Sequence, residues 1–121
     1  MQQPQVKVTE YADELIATPR AHLRLVLEQN GNGLVLSHED HALVECPLTE
    51  DGMLAAGFVA QALGTKVPPL GESVTARVST GVLFRVLGVA GLDYKKEESF
   101  VLLDRLLEEA ERQRGSTNES V

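Results

Sequence analysis

Hydrophobic and polar residues alternate most cleanly over HLRLVLEQ, residues 22–29. Leu23, Leu25 and Leu27 fall on one side, and Arg24, Val26 and Glu28 on the other. A two-residue period over this length marks a half-buried strand. NGNG follows at 30–33, and Asn-Gly is a strong hairpin signal because both residue types accept positive φ. A turn on Asn30-Gly31 pairs Leu27 with Leu34 and Leu25 with Leu36, whereas one on Asn32-Gly33 pairs Leu36 with Gln29. The first sets leucine against leucine and is the expected register.

The alternation continues through LVLSH and resumes in HALVEC. A tight turn on Glu39-Asp40 pairs His38 with His41, Ser37 with Ala42, Leu36 with Leu43 and Val35 with Val44. By parity Leu23, Leu25, Leu27, Leu34, Leu36 and Leu43 then share one face. The other face carries Arg24, Val26, Glu28, Val35, Ser37, Ala42, Val44 and Cys46.

Around this meander the pattern predicts further elements. VKV at 6–8 reads as a short edge strand. Thr9 caps a short helix through Ala17, with Tyr11, Leu15 and Ile16 on one side. Pro19 ends it. Thr49 caps a second helix to about residue 63, with Glu50 and Asp51 in the favourable first turn and Gly64 as the stop. Its small residues Ala56, Gly57 and Ala60 allow close approach of another helix. ESVTARV and VLFRVLGVA read as a second hairpin across Ser79-Thr80-Gly81, pairing Val78 with Val82, Ala76 with Phe84 and Val74 with Val86. Residues 97–114 repeat at three and four through Phe100, Leu103, Leu106, Leu107 and Ala110, the stripe of a buried helix. Arg105 and Glu109 can pair across one turn, and Gly115 is the expected stop.

The order is α-β-β-β-α-β-β-α, possible leading strand aside. It predicts an α+β fold: a five-stranded antiparallel sheet of two hairpin units packed against flanking helices. One domain spans residues 1–121, with flexible ends at about 1–5 and 115–121. This order is similar to that of small acidic chaperones of secretion systems and of roadblock-type signalling scaffolds. The similarity is one of topology and assigns no residue a role.

Composition narrows the function classes. Eighteen acidic residues against eleven basic ones give a net charge of -7, which disfavours nucleic acid unless Arg20, Arg24, Arg77 and Arg85 converge. No run has the length of a membrane span, and the start does not read as a signal peptide. A single cysteine leaves no internal disulfide. A cytoplasmic location is therefore expected, with no cofactor.

SHEDHALVEC, residues 37–46, is the stretch richest in chemical side chains. The spacing HEDH on a strand and turn is not the helical HExxH of zinc enzymes. A metal site would need a third ligand beside His38 and His41, from His22, Glu45 or an acidic turn residue, because a catalytic zinc takes three protein ligands and a structural one four. Cys46 has no CxxC partner, and by parity it lies on the opposite face from His41. A thiol nucleophile needs a base within reach. The sequence thus favours a non-catalytic binding protein, adaptor or chaperone-like, over a metal-dependent hydrolase or metal-binding protein using these histidines.

The apolar residues left over suggest the surface. With the leucine face covered by the helices at 50–63 and 97–114, Arg24, Val26, Val35, Val44 and Cys46 remain on the far face, continued by Leu83 and Leu87. A protein partner, and a homodimer through this face, an open sheet edge or the small-residue helix, are the expected partners.

Overall fold

A computed structural model describes residues 5–119. The chain runs β1 (Lys7–Val8), α1 (Glu10–Ile16), β2 (Leu23–Asn30), β3 (Gly33–His38), β4 (His41–Pro47), α2 (Glu50–Ala62), β5 (Ser73–Val78), α3 (Thr80–Ala90) and α4 (Glu97–Glu119). Five antiparallel strands form one sheet in the order β1-β4-β3-β2-β5. The fold is α+β. The parts of the expected flexible ends at 1–4 and 120–121 lie outside the described residues.

The first two helices start where their caps require. The Thr9 side chain accepts from the Ala12 N–H, and that of Thr49 accepts from Gly52. Each satisfies one of the amide donors a helix leaves unpaired at its start. Past α2, Gly64 takes φ 82°, the left-handed conformation that glycine adopts without strain.

Residues 80–90 are a helix rather than the second strand of a hairpin. Ser79 is its cap, with its hydroxyl accepting from Val82 N–H at 3.2 Å. Val82, Leu83, Val86, Leu87, Val89 and Ala90 are all buried. The run reads as apolar almost all round because Phe84, on the exposed side of α3, is apolar as well. Such a run has no period that separates strand from helix. The fifth strand is supplied instead by β1, which pairs Lys7 with Glu45 and Val8 with Val44.

Two registers also differ from expectation. β2 and β3 pair Leu27 with Leu36 and Asn30 with Gly33, so Gly31 and Asn32 form the turn. The Asn30 side chain accepts from Asn32 N–H at 2.8 Å and closes it. This shift is an even number of residues, so the leucines keep their face. Between β3 and β4, His38 does pair with His41 and Ser37 with Ala42, but Leu36 then pairs with Val44. Leu43 is the extra residue of a β-bulge. Thr9 anchors the bulge: its N–H donates to the Leu43 carbonyl at 3.0 Å and its hydroxyl to the Ala42 carbonyl at 2.6 Å.

The core lies between the leucine face of the sheet and α1, α2 and α3. Leu23, Leu25, Leu27, Leu34, Leu36 and Leu43 are each at most 1% exposed. By the usual scale, burying each contributes roughly 1.5–3 kcal/mol. Helix α4 forms an outer layer on α3 and α2 instead of covering the sheet. It buries Ser99 and Leu103 and half-buries Leu106 and Leu107, while Phe100 of the expected stripe is exposed. The side chain of Ala110 is not among those described. Glu109 pairs with Arg85 of α3 and not with Arg105. The helix continues through Gly115 to Glu119, since one glycine costs about 1 kcal/mol and does not by itself end a helix.

Candidate functional site

Helices α1, α2 and α3 pack on the leucine side, so the opposite side of the sheet is open. Its residues follow from the registers. One row crosses the sheet as Lys7, Glu45, Val35, Glu28 and Ser73. The next is Ala42, Ser37, Val26 and Thr75, and beyond it Arg24 stands directly opposite Arg77. Val26, Val35, Ser37 and Ala42 are half-buried, while the charged residues around them are exposed. A shallow groove of about 610 Å³ runs along β2 and β3 over Val26 and Val35, from Asn30 at one end to the Glu39-Asp40 turn at the other.

Four residues expected on this surface are elsewhere. The bulge at Leu43 shifts the phase of β4, so Val44 faces the core opposite Leu36 and Cys46 opposite Leu34, both buried. Glu45 takes the outward position beside Val35. Leu83 and Leu87 belong to α3 and are buried in the helical layer. Of the expected surface, Arg24, Val26 and Val35 remain on the open face. Arg77 joins them, although its place beside Arg24 was not foreseen. The alternation of Ser73, Thr75 and Arg77 in β5 is the signal that would have found it. Arg85 is on the helical side, in its ion pair with Glu109, so the arginines do not converge into one basic surface.

The histidine cluster is held by an aromatic residue. His38 is buried, and its Nδ1 lies 2.8 Å from the Tyr11 hydroxyl. His41 is exposed, with its ring centroid 4.9 Å from that of Tyr11. His22 is exposed at the start of β2. Among the described residues no group of three or more His, Cys, Asp or Glu side chains is arranged to hold a metal ion. The pair does positional work instead, tying α1 to the β3–β4 turn.

Cys46 is a core residue. Burial pushes its thiol up to about 12 from an ordinary value of 9.0, so at neutral pH it is protonated and a poor nucleophile. Burial, and then the charge of a Cys46 thiolate, raise Tyr94 as well. The Tyr94 hydroxyl donates to the Val89 carbonyl. A second cleft, of about 590 Å³, lies at the start of α2 between Thr49, Asp51, Asp93 and Lys95. There Lys95 and Asp51 approach to 3.6 Å, so opposite charges already face each other across part of its wall.

Comparison with known proteins gives no match, whether to a family, a curated protein or a solved structure. Fold and site together define a class: an α+β protein whose five-stranded sheet is covered by helices on one side and, among the described residues, bare on the other. Among the described residues, no helix is long and apolar enough to cross a membrane.

Proposed function

We propose that this is a non-catalytic protein-binding protein, an adaptor or chaperone-like platform that works as a homodimer in the cytoplasm. The observation that carries the reading is the open sheet face, with half-buried Val26 and Val35 at its centre and charged residues around them. A small apolar centre with a polar rim is the anatomy of a transient interface. Two of the side chains that could carry chemistry have structural roles: Cys46 is buried and protonated, and His38 is bound to Tyr11. The lone cysteine, held inside the core, suits a reducing compartment.

The test is site-specific crosslinking in the source cell. A photo-reactive residue at Val35 should trap a discrete protein partner, and the same residue at Gln61 on the helical side should not. The partner should be lost from Val26→Asp and Val35→Asp, both of which leave the core untouched. A partner trapped from Gln61 and indifferent to both aspartates would move the site to the helical layer.

A further inference from the structure

The two edges of the sheet differ. β1 is two residues long, and so short an edge offers little to pair with. β5 is six residues, SVTARV, with no proline, lysine or bulge to blunt it. Its outward groups can be identified. Gln29 N–H donates to the Glu72 carbonyl at 3.2 Å. Hydrogen-bonded pairs alternate along an antiparallel ladder, so Val74, Ala76 and Val78 direct their backbone groups to β2. Ser73, Thr75 and Arg77 direct theirs to the free edge.

We propose that β5 pairs antiparallel with β5 of a second copy, with Thr75 opposite Thr75 of the partner subunit on a two-fold axis normal to the sheet. The proposal rests on the homodimer part of the reading above and does not depend on the open face being a docking surface. This register puts Thr75 and both flanking odd residues into hydrogen-bonded pairs: Ser73 with the partner's Arg77, Thr75 with the partner's Thr75, and Arg77 with the partner's Ser73. A shift by two in either direction loses one such pair within the strand.

The side chains suit the same register. Val74 meets the partner's Ala76 on the core side, where both are only half-buried in one copy. Thr75 meets threonine, a favourable cross-strand pair. Within one copy Arg77 stands opposite Arg24, like charge against like. In the dimer the partner's Arg77 stands opposite Ser73, whose other neighbour is Glu28. Adjacent strands are roughly 4.8 Å apart, so the partner's guanidinium reaches over the small serine to the Glu28 carboxylate. The result is a continuous sheet in which both open faces lie on one side.

Light scattering with chromatography across a dilution series tests the pairing. Thr75→Pro removes the outward N–H without touching the ladder to β2, where an edge strand tolerates proline. It deletes one central hydrogen bond from each copy and should weaken the dimer about 100-fold, with the circular dichroism of the fold retained. Thr75→Cys, treated with a mild oxidant such as copper phenanthroline to accept the two electrons, should form a disulfide between copies, since facing residues of a hydrogen-bonded pair have Cα atoms about 5.5 Å apart. Val35→Asp should leave the mass unchanged. If Thr75→Pro does not fold, the cysteine decides, and failure to crosslink overturns the pairing. A dimer that Thr75→Pro leaves within about threefold of its affinity, or that Val35→Asp dissolves, overturns the edge and keeps the homodimer. A wild-type chain that stays monomeric at every concentration overturns both.

Discussion

Gly33 and Gly31 sit two residues apart in one hairpin, yet replacing each with alanine should have opposite effects. Gly33 has φ 137°, and a Cβ added there would lie 2.0 Å from the carbonyl oxygen of Cys46, where ordinary contact begins at 3.4 Å. Two costs combine in Gly33→Ala. The backbone conformation is one that L-residues avoid, at about 1–3 kcal/mol. The clash is with backbone, so β3 and β4 must separate at the Gly33–Pro47 end, loosening cover over Leu34 and Cys46. Together these give about 3–5 kcal/mol, a large share of a stability of roughly 5–15 kcal/mol. Gly31 is in open space, with no atom within 4 Å of an added Cβ and no positive φ. Gly31→Ala should therefore stabilise by about 0.4–1 kcal/mol through the unfolded chain. Urea unfolding measures both. With a slope of about 2 kcal/mol/M, the midpoint should fall by about 2 M for Gly33→Ala and rise slightly for Gly31→Ala. A Gly33→Ala protein as stable as the parent would refute the close approach of β4 to this glycine.

Other substitutions test other joints. Ser79→Ala should cost about 1 kcal/mol by uncapping α3, whereas a serine in a loose hairpin loop would cost little; thermal unfolding separates the two. Tyr11→Phe removes the partner of buried His38 Nδ1 and should cost about 1–3 kcal/mol, seen in the same assay. For Cys46 the folded-state value lies above the unfolded one, so the native protein holds the proton longer. Stability should be unaffected by this group below about pH 9 and fall as pH rises from there through about 12. In the native state the thiol should react with a thiol reagent only as fast as the chain opens, and rapid labelling would contradict its burial.

Much of this fold is legible in the sequence where local chemistry and tertiary packing agree. Thr9 and Thr49 mark two helix starts through their hydroxyls, and the leucine alternation of β2 and β3 marks the core face. The Glu39-Asp40 turn is also legible, although both residues take positive φ, 49° and 67°, which neither favours. The rest depends on neighbours the local pattern does not contain. VLFRVLGVA is apolar on nearly every side, with Phe84 standing exposed on the outer one, so its period is hidden. Parity along HALVEC places Val44 and Cys46 outside, because a bulge leaves no composition signal when both Leu43 and Val44 are apolar. The open face was therefore foreseen as more apolar than it is: two valines kept their places, and Glu45 stands where a third was expected.

The single bulge residue has a consequence for how this chain tolerates changes of length. Most of β4 reads in one of two frames, and Leu43 is the point where the frame changes. Deleting it would restore simple alternation from His41 to Pro47. It would leave the flanking pairs as they are, Ser37 with Ala42 and Leu36 with Val44, so Val44 and Cys46 would still face the core and Glu45 solvent. What is lost is the buried Leu43 side chain and the carbonyl that accepts from Thr9. Lengthening the Gly31-Asn32 turn costs only loop entropy. Position 43 is a place where β4 can shorten by one residue and keep its inside and outside, whereas a one-residue slip in a strand without a bulge exchanges them.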